Sequence, residues 1–199
     1  MKYSNTNNLD FIQWQPSTWS DFHNFNEAST IIRRIFQETI IEEIDNVIKD
    51  ATHNNGSIEH RGHIIAIAQL CATDTLSSYS YFDDEAKVCE NCGRSDSKIK
   101  KYSKFIKDFF PDEYKEFSND LYKLYRNSMV HSWNLFEVGI LLDNTAPIKN
   151  NGNLIFGLLN FQSALKKSVK NFFDKLKTDS NLQKNTLGRY KELQKTAKL

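Results

Sequence analysis

The sequence predicts a single, mainly α-helical domain. Glycine and proline, which punctuate turn-rich β folds, occur only seven and three times in 199 residues. Hydrophobic residues make up 39% of the chain and include 14 Phe and 8 Tyr, which argues against disorder. Apolar residues recur every three or four positions over long stretches, as in amphipathic helices. The length suits one domain spanning residues 1–199.

Two long helices are predicted in the first half of the chain, after an irregular arm over residues 1–26. They run over about 27–51 and 59–82, separated by the turn-forming residues 53–57. The side chains expected to face the core are Ile31, Ile35, Ile40, Ile44, Val47 and Ile48 in the first helix, and Ile64, Ile67, Ala68, Cys71 and Thr75 in the second.

The middle of the chain is predicted to hold a long polar loop and the segment of greatest functional interest. Residues 83–100 show no helical or strand period and form the predicted loop, which contains two cysteines. A short helix is expected near 101–109, ended by Phe110-Pro111. A further helical segment over 114–133 then carries the candidate site.

A small β-hairpin and two helices are predicted for the remaining chain. The apolar runs 138–142 and 153–156 are expected to pair as the hairpin. A strongly amphipathic helix follows over 158–177, and a weaker one over 182–197. The core face of the stronger helix is predicted to consist of Leu158, Phe161, Leu165, Val169, Phe172 and Leu176.

Charge is unevenly distributed although the whole chain carries a net charge of only +1. From Lys166 to the C-terminus there are ten Lys or Arg against three Asp or Glu, a net charge of +7. This asymmetry points to a polyanionic partner, and Lys166, Lys167 and Lys170 are candidate RNA-binding residues. The alternative is that these lysines form the solvated face of ordinary helices.

The cysteine content and the absence of long apolar runs indicate a cytoplasmic protein. Three cysteines do not form a disulfide framework, which fits a reducing compartment. No run approaches the roughly 18 apolar residues of a membrane span, and the first residues do not resemble a secretory signal. No membrane association is therefore expected.

The segment Arg126-Asn127-Ser-Met-Val-His131 carries the chemistry. On a helix, Phe117, Leu121, Leu124 and Ser128 form the expected core stripe, while Tyr122, Tyr125, Met129 and Trp133 form a second apolar face. Arg126 lies beside that second face, where its charge needs a carboxylate or a phosphate. His131 is about 140° around the helix from Arg126, so the two converge only if the helix bends or a second subunit completes the cleft.

These residue types suit metal-independent RNA cleavage, in which the ribose 2′-hydroxyl attacks the neighbouring phosphate. The reaction needs a group that accepts and donates protons near neutral pH, and His131 meets that need. It also needs a cation at the phosphate, for which the planar guanidinium of Arg126 is suited. Asn127 can orient either group. No cofactor is required.

The same segment resembles the signature of the HEPN superfamily, the higher eukaryotes and prokaryotes nucleotide-binding domain. That signature is an Arg, often followed by Asn, Asp or His, with a His four to six positions beyond the Arg. The Leu-Tyr-x-x-x-Arg-Asn-x-x-x-His-Ser run, the preceding Phe-Pro and the following hairpin and helix are also similar to bacterial members. The resemblance covers about residues 101–177.

The resemblance implies a helical bundle that dimerises so that two motifs face each other. It implies Arg126, Asn127 and His131 as the catalytic residues of an endoribonuclease acting as a toxin or a phage-defence effector. An antitoxin or defence-system protein would then be a partner. Because some members are inactive, the alternative is a non-catalytic dimerisation, nucleotide-binding or RNA-binding module.

Three further residues are weaker candidates. Asp74 lies in an otherwise apolar stretch and is a candidate to pair with Arg126, unless it faces solvent. Cys89 and Cys92 form Cys-x-x-Cys, which is half of a zinc site, but zinc needs four ligands and no second pair exists in one chain. A pair of loop thiols without metal is the simpler interpretation, so no metal is expected.

Overall fold

The computed structural model of the chain describes residues 25–53, 58–82, 97–124 and 138–197. Helices account for most of these residues, and a three-stranded sheet is the remaining regular structure. The predicted mainly α-helical fold class is therefore confirmed. Residues 1–24 of the predicted arm and residues 83–96 of the predicted loop lie outside the described residues.

The first predicted helix is one continuous helical segment whose geometry changes in the middle. It comprises α1 (Phe25–Arg34), a π-helical stretch (Ile35–Ile41) and α2 (Glu42–His53). Its buried side chains include Ile32, Phe36, Ile41, Ile44 and Ile48. The step from Phe36 to Ile41 is five residues, and the wider π turn keeps both side chains on the core face. The predicted Ile31, Ile35 and Ile40 lie half-buried beside that face.

Helix α3 (Ile58–Ser80) is the central helix, and the prediction of its core face was wrong. It contacts α2 on one side and three later helices on the others. Of the predicted stripe, Ile64 is 53% exposed, Thr75 is exposed, and the other members are half-buried. The buried face instead contains Ile65, Ala66, Leu70, Leu76 and Tyr79.

Polar residues obscured this face in the sequence. Thr73 and Ser80 are buried, and their hydroxyls donate to the carbonyl oxygens of Gln69 and Leu76, one turn earlier in α3. A hydroxyl satisfied by its own helix can be buried without a tertiary partner. Apolar residues also occur all round α3, so their spacing does not single out one face.

The segment leading to Arg126 is packed as predicted as far as it is described. Helix α4 (Ser97–Phe109) is followed by a 3-10 turn (Asp112–Tyr114) and α5 (Ser118–Lys123). Helix α4 therefore includes residues 97–100, the last four residues of the predicted loop. The predicted core residues Phe117, Leu121 and Leu124 are all buried, whereas the fourth, Ser128, lies outside the described residues.

The sheet corrects the predicted hairpin. Strand β1 (Val138–Leu141) pairs in parallel with β3 (Asn153–Gly157), with Val138 opposite Leu154. The hairpin is formed by β2 (Ile148–Asn150), which pairs antiparallel with β3. Asn151 and Gly152 connect these two strands and both have positive φ, 51° and 85°. Asn-Gly is the usual pair for such a two-residue turn, and it sets the strand pairing.

The last two helices close the core. Helix α6 (Leu158–Leu176) packs against β3, α3 and α4, and α7 (Ser180–Ala197) packs against α1, α3 and α6. Every residue of the predicted core face of α6 is buried, which confirms the prediction. The two helices are therefore fixed by apolar contacts with several earlier elements.

The junction between β3 and α6 depends on Gly157. The carbonyl oxygen of Asp143 accepts the backbone N–H of Leu159 at 3.0 Å, and Gly157 N–H donates to the carbonyl oxygen of Thr145 at 2.8 Å. The Asp143 side chain accepts Thr145 N–H at 2.8 Å. A Cβ on Gly157 would lie 2.4 Å from the Asp143 carbonyl oxygen, so only glycine fits this junction.

Replacing Gly157 by alanine should lower the free energy of unfolding by about 2–3 kcal/mol, because the loop must move and its hydrogen bonds to α6 weaken. Urea denaturation followed by circular dichroism measures the change. Gly62→Ala is the control: among the described residues its Cβ would meet only Leu158, at 3.8 Å, and the substitution should stabilise α3 by about 0.5–1 kcal/mol. Equal effects of the two variants would contradict the described junction.

Candidate nucleic-acid interface

The three predicted catalytic residues, Arg126, Asn127 and His131, lie outside the described residues. The same is true of Cys89 and Cys92, the weak metal-binding candidates. Their assignments therefore stay predictions. The described chain reaches Leu124, two positions before Arg126 in the sequence, and resumes at Val138.

Asp74, the predicted partner of Arg126, is half-buried on α3. Its backbone carbonyl oxygen accepts the hydroxyl of Ser77 at 2.7 Å. A half-buried carboxylate retains partial access to solvent and can take part in an ion pair without full desolvation. Since Arg126 is outside the described residues, the Arg126–Asp74 pairing stays a prediction.

Lys166, the first predicted RNA-binding lysine, already has a carboxylate partner. Its Nζ lies 2.6 Å from Oδ2 of Asp45 on α2. The other carboxylate oxygen of Asp45 accepts Nε2 of Gln162 at 2.9 Å, and Gln162 Oε1 accepts Nε2 of the fully buried Gln69 at 3.1 Å. Lys166 thus belongs to a polar network that joins α2, α3 and α6, and it is engaged within the protein.

Lys167 and Lys170, the other two candidates, are exposed on α6 but lie near carboxylates. The pKa of Asp112 is lowered mainly by its hydrogen bond with Lys115 and, to a smaller extent, by the charge of Lys167. The pKa of Asp174 is lowered mainly by its hydrogen bond with Lys177, with a smaller contribution from Lys170. Both lysines remain candidates, but nearby negative charge reduces their attraction for phosphate.

Other basic residues of the C-terminal helices are paired in the same way. Lys175 lies 3.8 Å from Asp179, and Lys177 lies 2.8 Å from Asp174. Arg189 forms an ion pair with Glu192. These three carboxylates are already subtracted in the net charge of +7, so the pairs do not lower that charge but show which basic residues are engaged within the protein.

A basic groove between α4 and α5 was missed by the sequence analysis. It has a volume of about 580 Å³, and the residues that line it are Ile99, Lys100, Ser103, Lys104, Lys107, Asp108, Asn119 and Lys123. We call it the lysine groove. Its four lysines are exposed, and none of them forms an ion pair within the described part of the chain.

The floor of the lysine groove is held in place by polar contacts. The Ser103 hydroxyl donates to Oδ1 of Asn119 at 2.6 Å and thereby joins α4 to α5. Asp108, the one carboxylate of the groove, accepts the hydroxyl of Tyr81, and burial together with this hydrogen bond raises the pKa of Tyr81. Lys104 Nζ lies 4.5 Å from the centroid of the Tyr81 ring, a cation–π contact.

The spacing of Lys100, Lys104 and Lys107 is the sequence signal that could have found this groove. Positions i, i+4 and i+7 share one face of a helix. The predicted loop includes residues 97–100, and it therefore excludes Lys100 from the helical pattern, whereas the helix begins at Ser97. Lys123 comes from a different helix, and only the packing of α5 on α4 brings it to the same groove.

The described residues contain no group of three or more His, Cys, Asp or Glu side chains that could hold a metal ion. No helix in the same ranges has the length and apolar character needed to cross a bilayer. Cys71, on α3, is half-buried and forms no disulfide within the described ranges.

Comparison with known proteins gives no relative. No family model, curated protein or solved structure matches the chain.

Proposed function

We propose that this protein is a metal-independent endoribonuclease of the HEPN type. The observation that carries the proposal is the Arg126-Asn127-x-x-x-His131 sequence. It combines a phosphate-binding guanidinium with an imidazole that titrates near neutral pH. The mainly helical fold, with α5 leading into this segment from a buried anchor at Leu121 and Leu124, supports the proposal.

In the proposed reaction, His131 removes the proton of the ribose 2′-hydroxyl. The 2′-oxygen then bonds to the adjacent phosphorus, and the bond from phosphorus to the 5′-oxygen breaks. The leaving 5′-oxygen takes a proton from a second acid, which in a symmetric dimer would be another copy of His131. Arg126 stabilises the negative charge of the phosphoryl oxygens, and Asn127 orients the reacting groups. Asp74 would hold Arg126 in place.

The test is cleavage of a fluorescent single-stranded RNA by the purified protein in excess EDTA. We expect products with a 2′,3′-cyclic phosphate and a 5′-hydroxyl, at a rate that EDTA leaves unchanged. The same strand with 2′-O-methyl riboses should stay intact, because it lacks the attacking hydroxyl. Cleavage that requires Mg²⁺, or products that carry a 5′-phosphate, would show that a different reaction takes place.

The proposed biological setting is a cytoplasmic toxin or phage-defence effector, and it rests on family analogy. Such a protein would act as a homodimer and be restrained or triggered by a partner, such as an antitoxin. Co-purification with the product of a neighbouring gene, and suppression of RNA cleavage by that product, would identify the partner.

A second function, a non-catalytic dimerisation or partner-binding module, is favoured by one observation. Ile64 is 53% exposed on α3, and Ile67, Ala68 and Cys71 are only half-buried beside it. Contiguous apolar side chains at a surface are typical of contacts with another protein. RNA left intact by the wild-type protein, together with an oligomer that Ile64→Glu dissociates, would favour this module over the nuclease.

A further inference from the structure

We propose that the lysine groove binds the phosphodiester backbone of single-stranded RNA. The naming of RNA as the ligand rests on the proposed endoribonuclease function. The groove itself follows from described residues alone. It is a different surface from the C-terminal lysines that the sequence analysis selected.

The charge of the lysine groove favours a polyanion. Four lysines and one carboxylate give it a net charge of +3, and Lys100, Lys104, Lys107 and Lys123 have no ion-pair partner in the described ranges. On α6, by contrast, carboxylates lie within 4 Å of Lys166 and Lys175. A phosphate therefore gains more by approaching the ammonium groups of the groove than by approaching either of these two lysines.

The spacing of the lysines suits a strand rather than a single small anion. On an α-helix, Lys100 and Lys104 are about 6 Å apart along the axis, and Lys104 and Lys107 about 4.5 Å. These distances are comparable with one or two phosphate repeats of roughly 3.4 Å along a stacked strand. The row of lysines can therefore contact successive phosphates of one strand.

The groove also offers hydrogen-bond donors. Asn119 uses its side-chain oxygen to accept the Ser103 hydroxyl, and its amide N–H groups, which have no acceptor among the described residues, can donate to phosphate or ribose oxygens. At the α5 end, the groove is lined by Lys123, which adds a fourth ammonium group from a second helix.

The experiment measures binding of a fluorescent 20-nucleotide 2′-O-methyl RNA, which cannot be cleaved by the proposed reaction. The variant is Lys100→Gln/Lys104→Gln/Lys107→Gln. The control is Lys184→Gln/Lys191→Gln/Lys195→Gln, which removes three exposed lysines from α7. Each triple variant changes the net charge from +1 to −2, so overall charge is matched. Circular dichroism and urea denaturation check that both variants are folded.

We expect the groove variant to bind on the order of 100-fold more weakly at low salt, and the control to change affinity less than about threefold. The plot of the logarithm of the association constant against the logarithm of salt concentration should have a slope that is smaller in magnitude by about 2. The three substituted lysines remove about three phosphate contacts, and each contributes about 0.7 for a single strand. Equal losses in the two variants, a larger loss in the α7 control, or no binding by the wild type would overturn the groove assignment.

Binding and cleavage distinguish the two proposals. Groove-dependent binding without cleavage of an unmodified RNA would leave the lysine groove standing and remove the nuclease. If the groove variant cleaves and binds RNA as well as the wild type does, the groove assignment is removed and the nuclease is left standing.

Discussion

Replacing His131 by alanine should reduce the rate of RNA cleavage by a factor of about 10²–10⁴, the usual contribution of a positioned general acid–base group. The methyl group of an alanine side chain cannot accept the 2′-hydroxyl proton, so deprotonation of the attacking hydroxyl would depend on water. The free energy of unfolding should change by less than about 1 kcal/mol, because the prediction assigns His131 to a cleft rather than to the core. Single-turnover cleavage of a fluorescent RNA measures the rate.

Two further variants make this result specific. His63→Ala removes an imidazole from α3 and should leave the rate within about threefold of wild type, because His63 has no assigned role in the reaction. Arg126→Lys keeps the positive charge but loses the planar pair of donors, so it should have a rate between those of the wild type and His131→Ala. A His131→Ala protein that cleaves RNA at the wild-type rate would end the catalytic assignment.

The largest effect on stability is expected for Phe161→Ala, a loss of about 3–5 kcal/mol in the free energy of unfolding. Phe161 is fully buried, and its ring centroid lies 5.5 Å from those of Phe110 and Phe156 and 5.4 Å from that of Tyr114. Removing the ring leaves a cavity where α6, β3 and the 3-10 turn meet. Apolar burial and three ring contacts are lost together.

Urea denaturation would measure the loss, and the melting temperature should fall by roughly 6–20 °C for a chain of this size. Ile148→Ala is the control, since its side chain is 48% exposed on β2 and should contribute less than about 0.5–1 kcal/mol. A loss below about 1 kcal/mol for Phe161→Ala would mean that the aromatic cluster is not packed as described.

The approximate positions of the helices could be predicted from the sequence. Which of their side chains are buried could be predicted only where polar residues occupy the opposite face of the helix. On α6, apolar residues recur on one face and lysines on the other, and all six predicted core residues are buried. On α3, buried hydroxyls of Thr73 and Ser80 bond to their own helix, and apolar residues such as Ile64 are exposed. Spacing alone could not separate these two kinds of position.

The strand pairing predicted from the sequence was wrong because it omits one turn signal. The prediction pairs the apolar runs 138–142 and 153–156 as a hairpin, although Asn151-Gly152 lies directly before the second run. That dipeptide fixes the short strand β2 as the antiparallel neighbour of β3, and β1 then takes the other edge in parallel. A local turn thus decides the order of the whole sheet.

The candidate binding surface depended on contacts that a local pattern does not contain. Lys166 was a reasonable candidate from charge counting, but its partner Asp45 comes from a helix distant in the sequence. Lys123 joins Lys100, Lys104 and Lys107 only through the packing of α5 on α4. The Arg126–His131 hypothesis, in contrast, came entirely from residue types and their spacing.

The closed start of α6 has a consequence for how phosphate can be recognised. Helix amino-terminal ends often hold anions through unpaired N–H groups and the helix dipole. Here the Asp143 carbonyl oxygen already accepts the N–H groups of Leu159 and Asn160, at 3.0 and 3.4 Å. An RNA phosphate would have to displace part of the polypeptide to reach them. The proposed RNA binding therefore depends on lysine ammonium groups rather than on this helix end, and such contacts favour any sequence equally and release the strand as ionic strength rises.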